Sequence, residues 1–202
     1  MELLNIFNEH HEWQRVASRH EAHAKGLWHE TFHCWLYDDE HLYFQLRSKV
    51  KKDYPSLFDI TAAGHLEAHE TPLDGLREVE EELGLRLSEA HVQKIGVIAA
   101  EIHSEAMIDR EFCHVFLTKF NGELSALTLQ QEEVAGIVKA RLDDLSAFLA
   151  GDASTLFVEG FYEEHGERLP LMRNVTKQNF VSFRGTYVET VVAEVQKQLQ
   201  FI

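Results

Sequence analysis

The sequence is poor in cysteine. Only two cysteines occur in 202 residues, Cys34 and Cys113, and each lies in an apolar run typical of a β-strand, HCWLY and EFCHVF. Two isolated cysteines argue against a disulfide framework and against a zinc knuckle. We expect two buried free thiols, which behave as small apolar residues and suit a reducing compartment. The prediction is therefore a cytoplasmic protein.

Long apolar runs are also missing. No stretch reaches the roughly 18 apolar residues of a membrane-spanning helix. The first residues, MELLNIFNEH, show no basic region followed by a long apolar segment, so a signal peptide is not expected. Three prolines, no repeat and no low-complexity segment leave no obvious linker. We predict a single domain over residues 1–202.

Basic residues are too few to balance the acidic ones. Nineteen lysines and arginines stand against 34 aspartates and glutamates, which gives a formal net charge of −15. Nucleic acids and anionic membranes are bound through concentrated positive charge, so we expect neither as a partner. A small polyanionic substrate is compatible with this charge if a divalent metal bridges it to the acidic site.

The hydrophobic pattern predicts strands interleaved with a few helices. An N-terminal hairpin or arm is expected in LLNIF and EWQRVA, and a second hairpin over 27–48. Further strands are expected at 92–104, at 110–120 and in GIVKA. Helices are expected from Pro72, in LDDLSAFLAG, and between about Val175 and Ile202. Such an order fits an α/β fold with a mixed sheet covered on both faces.

The densest chemistry of the chain lies in residues 62–85, AAGHLEAHETPLDGLREVEEELGL. Thr71 and Asp74 have the spacing of a capping box, and Pro72 suits the first helical position. A helix is therefore predicted to begin near Pro72. Gly84 predicts its end, because glycine readily takes the left-handed conformation that follows a helix.

Three carboxylates share one side of this helix. Glu78, Glu81 and Glu82 span an arc of roughly 100° at about 100° per residue, so their heads can converge on one point. Exposed like charges at this spacing repel by a few tenths of a kcal/mol per pair. A hard divalent cation such as Mg²⁺ converts that repulsion into attraction. The alternative is an ordinary solvated acidic face.

The same stretch resembles the Nudix box, G-x5-E-x7-R-E-U-x-E-E-x-G-U, in which U is aliphatic. Gly64, Glu70 and the run REVEEELGL that begins at Arg77 match it. Two positions depart from it: six residues separate Glu70 from Arg77, and His69 replaces a common glycine. The resemblance implies a Nudix-type α/β/α sandwich with a mixed β-sheet. It covers about 27–150, with an N-terminal arm and a C-terminal helical extension.

Segments outside the box are similar to the isopentenyl-diphosphate isomerase branch of the Nudix superfamily. These segments are HEAHAKGLWHETFHCWLY, QLRSKVKKDYPSLFDITAAGH and DREFCHVF. In those isomerases three histidines and an acidic pair hold a metal. The matching positions are His29, His65 and Glu111, with His23 and Asp109 as looser candidates. The alternative for each histidine is an ordinary hydrogen bond at the surface.

One isomerase residue is missing. The isomerases need a cysteine acid/base directly before the glycine-histidine pair, where this chain has Ala63. Alanine cannot transfer the proton that moves a double bond. The resemblance therefore implies an isomerase-like Nudix hydrolase that lacks the isomerase cysteine.

The resemblance also implies a role for each candidate residue. Glu78 is the first candidate for the base that takes a proton from water, with Glu133 and Glu111 as competitors. Arg77 would orient the glutamates through charge-assisted hydrogen bonds, or be only a surface ion pair. The predicted ligands of Mg²⁺ or Mn²⁺ are Glu78, Glu81, Glu82, the carbonyl of Ala63, and Glu111. The predicted substrate-binding residues are Arg47, Lys51, Lys52, His29 and His65.

The predicted function is hydrolysis of a diphosphate linkage in a small molecule of the nucleoside-diphosphate-X type. Such phosphoryl chemistry depends mainly on positioning and charge neutralisation. Two alternatives remain: an isopentenyl-diphosphate isomerase-like enzyme, and a Nudix-fold sensor that binds a nucleotide or sugar diphosphate without cleaving it. A homodimer is compatible with each of these three functions.

Overall fold

Eleven strands form one mixed β-sheet in the computed structural model, which describes residues 1–103, 108–181 and 186–200. The strands are β1 Leu3–Phe7, β2 Trp13–Ser18, β3 Trp28–Tyr37, β4 His41–Arg47, β5 Phe58–Ile60, β6 Ala62–His65, β7 Gln93–His103, β8 Ile108–Lys119, β9 Val134–Arg141, β10 Leu156–Glu164 and β11 Glu167–Val175. The helices are α1 Arg19–Lys25, α2 Leu76–Leu83, α3 Leu142–Ala150 and α4 Tyr187–Gln200. Ser104 and Ile202, where two predicted elements end, lie outside the described residues.

Strand β3 organises the sheet. It pairs in parallel with β8 over ten residues, from Trp28 opposite Arg110 to Tyr37 opposite Lys119, and antiparallel with β6. The predicted hairpin over 27–48 does turn between β3 and β4. However, the two strands share only the pair Tyr37–Leu42, because β4 pairs with β9 and β5 instead.

Apolar side chains on the two faces of the sheet form separate layers, as alternation along a strand requires. On β3, Phe32 belongs to the cluster that packs under α2, whereas Trp35 belongs to the cluster under α3 and α4. Helices therefore cover both faces, which confirms the predicted α/β/α sandwich. None of the helices in the described ranges is long and apolar enough to cross a membrane.

The start of α2 differs from the prediction. The helix begins at Leu76, and 72–75 form turns in which the Asp74 N–H donates to the Thr71 carbonyl at 3.0 Å. The Asp74 carboxylate accepts the Thr71 N–H at 2.7 Å. The capping pattern thus closes a turn before the helix. The predicted end is right, since Gly84 adopts φ 67°.

The sequence did not predict helix α1, the short strands β5 and β6, or the β10–β11 hairpin. Helix α1 has only seven residues, with Ser18 accepting the Glu21 N–H at 3.2 Å and Gly26 in the left-handed conformation. The β10–β11 hairpin turns at His165 and Gly166, which both have positive φ. Helix α1 has a capping serine as a local signal, and the β10–β11 turn has a glycine. The alternation of apolar and polar residues is weak in β11, because this strand is largely exposed.

Gly75, which precedes α2, lies against a buried ring. A Cβ at this position would approach Phe32 Cγ to 2.4 Å, and Phe32 is fully buried. We expect Gly75→Ala to lower the free energy of unfolding by about 1–3 kcal/mol through overpacking, measured by chemical denaturation. If the clash is the cause, Phe32→Leu will cost less in the Gly75→Ala background than in the wild type. Additive costs would contradict this explanation.

Candidate metal and diphosphate site

A cavity of about 500 Å³ opens between α2, β6 and the loop after β4. Most residues of the predicted site line it. They are Arg47, Lys51, Ala63, His65, Arg77, Glu78, Glu81, Glu82, Glu111 and Glu133. Arg19, His23, His33 and Asp109 line it as well. Lys52 is exposed on the loop and does not line the cavity.

Glu82 is the most deeply buried of the three box glutamates, with 5% of its surface exposed. Its Oε2 accepts the Ala63 N–H at 3.2 Å and an amide hydrogen of Gln45 at 3.3 Å. Burial raises the pKa of Glu82 well above its usual value, and the neighbouring Glu78 raises it further. A buried carboxylate of this kind is costly to ionise without a compensating cation.

Glu78 lies directly over the backbone of β6. A Cβ on Gly64 would come within 2.1 Å of Glu78 Oε1, so only glycine leaves room for this carboxylate. Burial raises the pKa of Glu78, although the Arg77 guanidinium opposes the shift. Glu81 is more exposed, with 54% of its side chain accessible, and its Oε2 lies 3.6 Å from Arg77 Nη1. The three carboxylates thus face one cavity at different depths.

Arg77 ties the glutamates to the loop that precedes α2. Its Nε and Nη2 donate to the two oxygens of Glu70 at 2.6 and 2.9 Å, and Nη2 also donates to the His65 carbonyl at 3.1 Å. Nη1 donates to Glu78 Oε1 at 2.5 Å. The hydrogen bond from Arg77 lowers the pKa of Glu70. The shortened spacing between Glu70 and Arg77 therefore still permits a two-pronged contact.

A cluster of histidines lies beside the carboxylates. The Nε2 atoms of His23 and His65 are 3.1 Å apart, and Asp109 Oδ1 lies 3.8 Å from His23 Nε2 and 3.6 Å from His29 Nε2. Burial lowers the pKa of His65 well below its usual value and lowers that of His23 to about 4. These two imidazoles are therefore neutral near pH 7 and keep a lone pair for a ligand.

His29 presents such a lone pair from the interior. It is fully buried, and its Nδ1 lies 2.9 Å from the Leu27 carbonyl, which can only accept a hydrogen bond. This contact therefore requires a proton on Nδ1. Its Nε2 has no hydrogen-bond partner among the described residues. Both His23 with His65 and Asp109 with Glu111 place ligand atoms within 4.8 Å of this histidine, an arrangement typical of a metal ligand.

Two of the predicted cationic residues, Arg47 and Lys51, have acceptor partners within the protein. Arg47 donates to Asp59 Oδ2 at 2.9 Å and to the Asp53 carbonyl at 2.9 and 3.2 Å. Lys51 forms an ion pair with Glu133. Arg47 and Lys51 thus lie at the cavity wall, each held by acceptors of the protein.

Besides Arg19, two further residues of the cavity were not identified from the sequence. His33 Nε2 lies 3.8 Å from Glu111 Oε2, and its Nδ1 lies 2.8 Å from the Tyr187 hydroxyl on α4. Glu2, at the start of the chain, lies 3.3 Å from His65 Nδ1 and lines the cavity. No local motif marks either residue, because both reach the site only through the pairing of distant strands.

The sandwich and the acidic cavity together define a Nudix protein. The family model of the NUDIX domain matches residues 27–157, and the chain belongs to this family. It is 39% identical over 196 residues to a protein described as an uncharacterized Nudix hydrolase of Clostridium acetobutylicum, covering 95% of each chain. It is 31% identical to Nudix hydrolase 3 of Arabidopsis thaliana over 90% of this chain and 23% of that protein.

Solved structures show the same fold at low sequence identity. The crystal structure of DR0079 from Deinococcus radiodurans superposes with a TM-score of 0.53 at 17% identity, covering 74% of this chain and 90% of that one. A MutT/nudix family protein from Enterococcus faecalis superposes with a TM-score of 0.54 at 11% identity, covering 83% and 62%. At these identities the likeness concerns the fold alone.

Proposed function

We propose that this Nudix hydrolase requires Mg²⁺ or Mn²⁺ and splits the diphosphate linkage of a small molecule through attack of water on phosphorus. The observation that carries the proposal is the convergence of Glu78, Glu81 and Glu82 on one cavity, where burial raises the pKa of Glu78 and of Glu82. Buried acids that disfavour their own ionisation are suited to receive a divalent cation.

The donor set of the cavity fits such an ion. Glu78, Glu81, Glu82 and the Ala63 carbonyl would supply hard oxygen ligands, and Glu111 would join them from β8. Nearby, His23, His29, His65 and Asp109 would supply the nitrogen-rich set that the isomerase-like branch implies. A bound divalent ion would neutralise the charge of the phosphates and of the leaving group.

Glu78 is the residue that we assign as base. A carboxylate whose pKa is raised toward neutrality accepts a proton from water more readily than an ordinary one, and burial raises the pKa of Glu78. Glu133 is the first competitor, since it lines the same cavity but is paired with Lys51. Arg77 acts as a positioning residue, because it holds Glu78 and Glu70 together.

The substrate would lie against the cationic side chains that line the cavity, which are Arg47 at the end of β4, Lys51 in the loop that follows and Arg19 at the start of α1. A diphosphate would compete with Asp59 for Arg47 and with Glu133 for Lys51. An arginine fork suits phosphate oxygens. We infer a nucleoside-diphosphate-X type of substrate, with the diphosphate between the cations and the acidic helix.

A panel of diphosphates tests the proposal. Nucleoside triphosphates, dinucleotides, sugar nucleotides and coenzymes are incubated with the protein and Mg²⁺ or Mn²⁺, and the split products are measured. We expect hydrolysis of at least one class, abolished by chelation of the metal. Ligand binding without cleavage would indicate the sensor instead.

The same panel should include an assay of isomerase activity on isopentenyl diphosphate. The grouping of His23, His29, His65, Asp109 and Glu111 is the observation that favours the isomerase-like branch. Ala63 in place of the acid/base cysteine argues against isomerisation itself. We expect no conversion of isopentenyl diphosphate to its allylic isomer, followed by chromatography. Conversion at a rate above that of hydrolysis would overturn the assignment as a hydrolase.

A further inference from the structure

A second group of ligand-type side chains lies on the other face of β3. His11 comes from the β1–β2 turn, Glu30 from β3 and His114 from β8. Successive side chains of a strand point to opposite faces, so Glu30 points away from its neighbour Thr31, which lines the cavity. None of these three residues is among those that line the cavity.

The three ligand atoms have nearly the spacing of a metal centre. His11 Nε2 and His114 Nε2 lie 2.9 and 2.8 Å from the same oxygen of Glu30, Oε1. All three atoms lie within 4.8 Å of one another. In a tetrahedral zinc site with bonds of about 2.0–2.1 Å, neighbouring ligand atoms are about 3.3 Å apart. A small outward movement of the rings is therefore enough to admit an ion.

The backbone and the packing hold His11 in this place. His11 adopts φ 61°, a left-handed conformation that is uncommon for residues other than glycine. Its ring stacks on Phe112 with centroids 4.1 Å apart and lies 4.8 Å from Phe7. A left-handed residue is common where a short hairpin loop closes, and here the His11 N–H donates to the Asn8 carbonyl at 3.0 Å. The turn and the stacking on Phe112 fix the position of the ring, which is an observation independent of the ligand spacing.

We propose that His11, Glu30 and His114 form a second metal site, for a borderline divalent cation such as Zn²⁺, with one coordination position left for water. Two imidazoles and a carboxylate are ligands that Zn²⁺ prefers. An ion bound there joins the β1–β2 hairpin to β8. It thereby holds β1, the strand that directly follows Glu2, in place.

The proton arrangement gives a sharp test. The Glu30 oxygen accepts from both imidazoles, so each carries its proton on Nε2 in the metal-free state. Metal binding requires that proton to move to Nδ1 or to leave. Lys94 Nζ lies 3.1 Å from His114 Nδ1, and its positive charge opposes a proton there. Lys94 is exposed and can turn away.

Co²⁺ as a probe for Zn²⁺ measures the site directly. The double variant His23→Gln/His65→Gln removes two of the four histidines beside the cavity and leaves His29 and His33, and excess Mg²⁺ occupies carboxylate sites. In this background we expect one equivalent of Co²⁺ with the strong visible absorption of four-coordinate cobalt. Adding His11→Gln should abolish that absorption. Adding His10→Gln, a change at the adjacent exposed histidine, should leave it intact.

The variant Lys94→Gln distinguishes a metal site from a cluster of side chains joined only by hydrogen bonds. We expect this variant to bind Co²⁺ and Zn²⁺ several-fold more tightly, because the opposing charge is gone and the amide oxygen can accept the Nδ1 proton. A cluster held together by hydrogen bonds alone predicts no cobalt absorption that is lost with His11→Gln. Absent cobalt absorption, or an unchanged or weaker affinity in Lys94→Gln, would overturn the proposal. Neither readout involves a diphosphate, so the result is independent of the proposed hydrolysis.

Discussion

Glu82→Gln is expected to lower kcat for diphosphate hydrolysis by on the order of 10²–10³-fold, the scale of a single preorganised polar group acting on a transition state. Glutamine keeps the size and the hydrogen-bond acceptor that meets the Ala63 N–H, but it cannot carry the negative charge that a divalent cation needs. The measurement is steady-state kinetics at saturating Mn²⁺. Binding of Mn²⁺ to the free protein, followed by calorimetry, should weaken in parallel.

The matched control is Glu80→Gln, on the same helix. Glu80 points outward and pairs with Arg86, so this variant should keep turnover and metal affinity. Equal losses in both variants would mean that net charge, not position, is responsible. Full turnover in Glu82→Gln would remove Glu82 from the metal site.

The same variant should also change how stability depends on pH. Because the folded-state pKa of Glu82 lies above its ordinary value of 4.5, the stability that this group gives the metal-free protein is fully present below about pH 4.5. The protein loses this stability as the pH rises through the raised pKa. Between about pH 5 and about pH 8 the melting temperature of metal-free Glu82→Gln should therefore fall less than that of the wild type. A steeper fall in the variant would contradict the direction of the shift.

Gly64→Ala is the second change for which a large loss is expected. Its Cβ would lie 2.1 Å from Glu78 Oε1 and 2.8 Å from Glu78 Cγ, so the Glu78 side chain must swing out of the cavity. The obstacle is a side chain that can move, so the fold should survive. Turnover should fall by about 10²-fold or more, the cost of misplacing a reacting group by about 1 Å. Steady-state kinetics measure the loss of turnover, and circular dichroism checks that the fold is retained.

A double variant isolates the cause. If the added methyl group acts only by displacing Glu78, then Gly64→Ala/Glu78→Ala will be no slower than Glu78→Ala alone. A further loss in the double variant would show that Gly64 is needed for the substrate or for the β6 backbone itself. If Gly64→Ala unfolds, the expectation that the Glu78 side chain moves out of the cavity is wrong.

The box helix was largely predictable because its signals are local. Helix α2 buries Val79 and Leu83 against the core, and Gly84 ends the helix as predicted. The carboxylates Glu78 and Glu82 reach one cavity, as their arc on the helix predicted. The predicted start was wrong by four residues, since a local pattern at Thr71 and Asp74 suits a turn as well as a cap.

The histidines could not be interpreted by spacing alone. His29 and His65 were singled out only through resemblance, and what joins them is the pairing of Thr31 on β3 with His65 on β6. The β3–β4 hairpin followed from sequence, yet it did not reveal that β3 runs parallel to β8. A parallel pairing needs a long crossover and leaves no short-range signal.

By itself, the sequence determined the α/β class, the acidic helix that faces the cavity and the family to which the chain belongs, because propensity, periodicity and motif spacing act over a few residues. Only the tertiary structure decided which distant groups meet. Burial of Glu82 against Ala63, the contact of Glu78 with Gly64 and the two histidine clusters all depend on strand register, which is a property of the whole sheet. The pKa shifts have the same origin, since they arise from the removal of water when these elements pack together.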